Sequence, residues 1–266
     1  MDCPGIAGLA LTGGRPAPEQ LFAIQVLLGL LLTNGPGTIS AQGAKGAVAA
    51  DGPETPERVQ LNKAMVGFLT HSGFAHGGNG FEGMQFLLEQ FGGEHGIADP
   101  GQPQHGQDLT AMATAFTTAY KQEKAKRKEV AEGGRAIPGI NHPVFRGKPV
   151  NTDPREVFVR KLMEERGESN VFHDYYHAVA RALFDQGVTR NVFAVNIDAV
   201  IAAWLLKLLW QPYREGRLSA EQLETAAFSL FLYARMAGSA AEIEDHVNRG
   251  RNMDTRTAAS ACRFVS

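Results

Sequence analysis

Apolar positions recur at helical spacing along most of this chain, and cap residues punctuate them. Leu21 to Leu32 is its longest apolar stretch, broken only by Gln25. Pro18 precedes it and Gly35-Pro36 follows it, which predicts a helix from about Glu19 to Thr33. Ile39 to Ala50 is small and apolar, as a helix must be where a second helix packs closely. Thr55-Pro56-Glu57 reads as the opening of a helix running toward Thr70, and Phe81 to Phe91 as the next. Leu109 to Glu132 is helical and ends in a charge run that reads as a solvated face. Asp153-Pro154-Arg155-Glu156 has the form of a capping box, with a helix to about Arg166. Val171–Gln186 and Val192–Leu209 follow, then a second capping box at Ser219 to Gln222 that starts a helix to about Ala241. No strand set and no internal repeat is present, so the expected class is all-α.

The intervening segments are rich in glycine and proline. Gly73 to Gly80 reads as a turn, Gly92 to Asp108 as a long loop, and Gly133 to Thr152 has no helical period. The tail after Gly250 has none either.

Composition narrows the function classes. The chain has 266 residues, with 26 Lys plus Arg against 28 Asp plus Glu, so the net charge is −2. That balance offers no basic footprint for nucleic acid or an anionic membrane, and neither partner is expected. The two cysteines, Cys3 and Cys262, form neither a disulfide framework nor a metal-ligand spacing. Leu21 to Leu32 is too short for a bilayer, which takes about 20 residues. Asp2 and Glu19 outweigh the single Arg15 before it, so no basic leader is read and a cytoplasmic protein is expected.

The candidate chemistry lies in loops and at helix ends. His76 stands in Gly73-Phe74-Ala75-His76-Gly77-Gly78-Asn79, and His142 in Pro138-Gly139-Ile140-Asn141-His142-Pro143. Loop histidines of this kind are free of packing duty. Asp198, in Asn196-Ile197-Asp198-Ala199, is either a helix cap or a buried acid able to act as a general base. Arg235 lies in an otherwise apolar helix and needs an anion, an internal Glu or a bound carboxylate. With Arg146, Arg155 and Arg251 these groups suggest a site for a small polyanion. His173 and His177 share a helix face, but no Glu stands between them and no third ligand is evident, so no metal is expected and His173→Ala should change little. No Ser or Cys nucleophile motif and no phosphate loop is seen.

In order and spacing, these motifs resemble the citrate synthase superfamily, which includes the citryl-CoA lyase module of ATP-citrate lyase. The resemblance runs from about Leu27 to Arg251. Gly73 to Asn79 is similar to the family's G-P-L-H-G-G-A-N loop, which implies that His76 is a catalytic histidine. Gly139 to Arg155 resembles the G-x-G-H-x-V-x-R…D-P-R segment. This implies a second catalytic histidine in His142, a coenzyme A contact in Arg146 and a carboxylate-binding arginine in Arg155. Asn196-Ile197-Asp198 resembles N-V-D, implying that Asp198 is the catalytic acid/base. Arg235 fits a substrate-binding arginine. Arg249 or Arg251, with Arg251 preferred, fits the arginine that reaches a neighbouring subunit's site.

Three features depart from the synthases of this family. The chain is short, about the size of a lyase module. Asn34 stands at or beside the position of the family's substrate-binding histidine. Asp198 is followed by Ala-Val-Ile-Ala-Ala, nearer the lyase pattern, while His76 is a synthase-like feature. The resemblance implies a larger domain, 1–91 with 188–266, and a smaller one, 92–187, in a homodimer or higher homo-oligomer with a shared site. It implies reversible Claisen chemistry on an acyl-CoA and a small polycarboxylate, with coenzyme A as substrate and no covalent cofactor. The leading expectation is cleavage of citryl-CoA, or a close 3-hydroxy-acyl-CoA, to acetyl-CoA and oxaloacetate. The alternatives are a citrate or 2-methylcitrate synthase-like condensing enzyme, and a non-catalytic acyl-CoA or carboxylate binder.

Overall fold

The computed structural model describes residues 2–32, 38–49, 61–73, 76–92, 96–129, 136–141, 153–188 and 194–248. They form ten helices: α1 (Cys3–Thr12), α2 (Pro18–Leu31), α3 (Ile39–Ala49), α4 (Leu61–Thr70), α5 (Asn79–Phe91), α6 (Leu109–Glu129), α7 (Pro154–Glu165), α8 (Val171–Asp185), α9 (Ile197–Arg214) and α10 (Ala220–Asn248). Among the described residues there is no sheet, only isolated bridges, so the fold is all-α. The expected helix opening at Thr55-Pro56 and the segment after Gly250 lie outside the described residues. No helix among the described residues is long and apolar enough to cross a membrane.

The chain divides into two compact units, 1–79 with 228–266, and 80–227. In the first, α3 and α4 cross at two glycines. A Cβ on Gly43 would strike the Gly67 carbonyl oxygen and the His71 ring, and a Cβ on Gly67 would strike the Gly43 carbonyl. The small residues of α3 thus allow backbone-to-backbone approach, as its composition suggests. Helix α1 was not expected from the sequence. Asp2 caps it by accepting from Gly5 N at 3.0 Å, and Gly13 ends it at φ 71°.

In the second unit α9 is the central element. Ile197, Ala199 to Leu206, Leu209 and Trp210 are all buried, a helix apolar nearly all round. An aromatic cluster packs from α5, α6 and α8, with Phe86 against Phe116 and Tyr176 at 5.1 and 5.4 Å, and Phe91 against Phe172 at 5.2 Å. The described part of the glycine-rich loop is pinned to this core. Trp210 Nε1 donates to Ile97 O at 2.9 Å, and Val171 N to Pro100 O at 2.9 Å.

Two local expectations are corrected. Helix α9 begins at Ile197, not Val192, because Val195 is drawn into an antiparallel bridge with Ile140 and Asn196 becomes the cap. Asp153 does cap α7, accepting from Arg155 N at 3.0 Å, but Glu156 does not reach back to close a box. Its carboxylate turns to His173 and His177 instead. The Ser219–Gln222 box forms in both directions, at 2.8 and 3.2 Å.

Candidate functional site

In the first unit His76 closes a tight turn. Gly73 and His76 exchange backbone hydrogen bonds at 3.0 and 2.9 Å, and Gly78 N donates to Gly73 O at 3.0 Å. The imidazole is half-buried, edge-on to Phe231 at 5.6 Å, and its Nε2 shares a hydrogen bond with Ser40 Oγ at 2.8 Å. Arg235 is 3% exposed, and its Nη1 donates to the same Ser40 Oγ at 3.3 Å. Its Nε donates to Leu31 O at 2.8 Å, and its guanidinium lies 5.0 Å from the centre of the Phe231 ring. Burial, and then the Arg235 charge, lower the His76 pKa from 6.5 to about 4. His76 is therefore a neutral imidazole at physiological pH, able to donate a hydrogen bond without carrying charge. Ser40 was not singled out from the sequence; a serine at the start of a helix carries no signal for this role.

In the second unit three of the motif segments meet at the N-terminus of α9. Asn141 N donates to Ala194 O at 2.7 Å, and Asn196 N to Gly139 O at 2.9 Å. Gly139 has φ 77° and no room for a side chain between Ala199 and the Tyr176 ring. Asn196 then works at both ends. Its Oδ1 accepts from Asp198 N at 2.8 Å and Ala199 N at 3.3 Å, and its Nδ2 donates to Asn141 O at 2.6 Å. The buried Asp153 joins the third segment. Its Oδ2 accepts from Ile197 N at 3.1 Å, and Arg155 grips its carboxylate in a fork at 3.0 and 2.8 Å.

Of the two readings left open for Asp198, the cap belongs to Asn196. Asp198 sits half-buried in the first turn of α9, where the helix amides favour negative charge. Its charge reaches Tyr176, whose hydroxyl is pushed well above 10, first by burial and then by Asp198. Tyr176 thus stays protonated and donates to Gly83 O at 3.3 Å. His142, Arg146, Asn34 and Arg251 lie outside the described residues. The described chain ends one residue before His142, at Asn141, which the bonds above tie to the α9 cap.

Behind this junction, Glu156 of α7 faces His173 and His177 of α8. Its Oε1 accepts from His177 Nε2 at 2.8 Å and lies 3.2 Å from His173 Nε2. Burial alone would raise the Glu156 pKa, but the two imidazoles more than offset it and hold it at about 2. The sequence reading missed this third member, because it comes from another helix and no local spacing marks it. His173 is also 4% exposed and ringed by Trp204 and His177, so the expected innocuous His173→Ala is corrected: it would open a cavity in the core.

No protein-family model matches the sequence, and no curated protein sequence matches it. Solved structures do. The chain is similar to the citryl-CoA lyase of Hydrogenobacter thermophilus, with TM-score 0.62 and 16% identity, covering 100% of this chain and 84% of that one. It is similar to the ATP citrate lyase of Methanothrix soehngenii, determined with citrate and coenzyme A, with TM-score 0.63 and 17% identity, covering 100% of this chain but 37% of that one. It is also similar to the citrate synthase of Thermotoga maritima, with TM-score 0.55 and 18% identity, covering 97% of this chain and 55% of that one. The chain has the citrate synthase-like all-α fold.

Proposed function

We propose that this chain is a citryl-CoA lyase-like enzyme, cleaving citryl-CoA or a close 3-hydroxy-acyl-CoA to acetyl-CoA and oxaloacetate. The observation that carries the reading is the junction at α9, where the roots of the His142, Arg155 and Asp198 segments are bonded to one another. The similarity in fold to a citryl-CoA lyase along the whole of this chain supports it.

In cleavage, His142 takes the hydroxyl proton of citryl-CoA. The oxygen becomes the keto group of oxaloacetate as the carbon–carbon bond breaks, and the electron pair moves to the thioester enolate. Neutral His76 donates a hydrogen bond to that enol oxygen, and Asp198 delivers a proton to the departing carbon. Condensation is the reverse, with the Asp198 carboxylate taking a methyl proton from acetyl-CoA. Asn34, Arg155, Arg235 and Arg251 bind and orient the carboxylates, and Arg146 contacts coenzyme A. Asp153 fixes the plane of the Arg155 guanidinium for that task. Coenzyme A enters as part of the substrate, with no covalent cofactor. The reading includes the large and small domains expected above, a homo-oligomer with a shared site and a cytoplasmic location.

One feature favours a second reading, a condensing enzyme of the citrate synthase kind: the retained His76 loop with its glycine turn. Incubation of the purified protein with citryl-CoA separates the two. Acetyl-CoA and oxaloacetate as products support the lyase. Citrate and free coenzyme A transfer the chain to the synthases, and an absence of turnover with bound acyl-CoA leaves a binder.

A further inference from the structure

We propose that Glu156, His173 and His177 form a binding site for a borderline divalent transition ion of the zinc class, joining α7 to α8. The three ligand atoms lie within 4.8 Å of one another. A tetrahedral ion with bonds of about 2.0–2.1 Å holds its ligand atoms about 3.3 Å apart. The His173 Nε2 to Glu156 Oε1 distance of 3.2 Å already meets that spacing, and the 2.8 Å to His177 needs a small opening.

The second observation is an unsatisfied ligand atom. His173 is 4% exposed, and its Nε2 lies 3.2 Å from Glu156 Oε1 without the alignment of a well-formed hydrogen bond. A buried imidazole nitrogen in that state is unfavourable, and an ion between the three groups would satisfy it. Two imidazoles and one carboxylate suit zinc, cobalt and nickel, not magnesium or calcium. The site is also reachable, because the His177 side chain is 41% exposed and leaves room for water as a further ligand. One group competes: Arg160 Nε lies 3.3 Å from the same Glu156 oxygen. Its side chain is 42% exposed and also pairs with Glu164 at 3.2 Å, so it can turn outward as the ion enters.

The test titrates Co²⁺ and Zn²⁺ into the full chain after chelator treatment. The expected result is one tight equivalent, a visible cobalt d–d spectrum of nitrogen and oxygen ligation, and a rise in Tm with Zn²⁺. His177→Asn should weaken the affinity at least ~10-fold and abolish the Tm rise. Glu156→Gln should do the same, and His71→Asn, in the other unit, should leave both intact. His177 is half-exposed, so that variant keeps the test open if Glu156→Gln fails to fold. Absence of saturable binding, or binding of unchanged affinity in His177→Asn, overturns the proposal.

Discussion

Two groups of histidine in this molecule are held in opposite electrostatic surroundings. His76 lies against the Phe231 ring, shares Ser40 with Arg235 and faces the Arg235 charge. His173 and His177 converge on the Glu156 carboxylate. In the first case burial and a cation strip the proton from the imidazole. In the second, the imidazoles hold the proton off the carboxylate. The same side chain is thus made a neutral donor in one unit and the partner of a fixed anion in the other. Neighbours decide the role, not the residue type.

The largest effect that would sharpen this contrast is on turnover. On the proposed reading, His76→Ala should lower kcat at least ~100-fold, the scale of losing one donor to a developing oxyanion. His177→Asn should leave kcat within about twofold. Equal losses in steady-state assays of the two variants would break the contrast.

Stability comes next. Glu156→Gln removes the carboxylate that faces two imidazoles and should cost about 2 kcal/mol, the scale of a buried hydrogen bond to a charged group. Ser40→Ala, which removes a neutral hydroxyl, should cost about 1 kcal/mol. Urea denaturation reads both, and the reverse order would contradict the assignment of charge.

The pH dependence separates the two regions without changing the fold. The folded pKa of His76 is lowered from 6.5 to about 4, so the unfolded chain binds the proton more readily between those values. Its contribution to stability is lost as pH falls from about 6.5 to about 4. The folded pKa of Glu156 is lowered from 4.5 to about 2, so its contribution holds above 4.5 and is lost from about 4.5 to about 2. Melting curves across pH should show His76→Asn flattening the upper window alone and Glu156→Gln the lower alone.

A further effect, local to one helix end, is expected at the junction of the second unit. Asn196→Ala removes the α9 cap and the bond to Asn141, and should cost about 2 kcal/mol. Hydrogen exchange at Asn141 and Asp198 should rise together; a rise at Asp198 alone would mean that the two segments are not coupled through this side chain.

Most helices were legible because their signals are local. Asp153-Pro154 caps α7, the Ser219–Gln222 box starts α10, and the small residues of α3 mark a close helix contact. The misreadings share one cause, a distant partner. Val192 to Asn196 has an apolar helical pattern, but Val195 pairs with Ile140 across the fold. Glu156 stands at the box position, yet two imidazoles of α8 outbid the backbone amide. Among the candidate residues, His76, Asp198 and Arg235 stood out by sequence as groups unusual in their settings, and Arg155 through the family resemblance. Ser40 and Glu156 did not, since a helix-start serine and a first-turn glutamate are ordinary.

The most direct measurement on the central claim is cleavage of citryl-CoA in D₂O, with mass analysis of the products from the native chain and from Asp198→Asn. The account predicts acetyl-CoA bearing a single deuterium from the native chain, and a rate at least ~100-fold lower in the variant. Citrate and free coenzyme A with no acetyl-CoA, or an undiminished rate in Asp198→Asn, would contradict it.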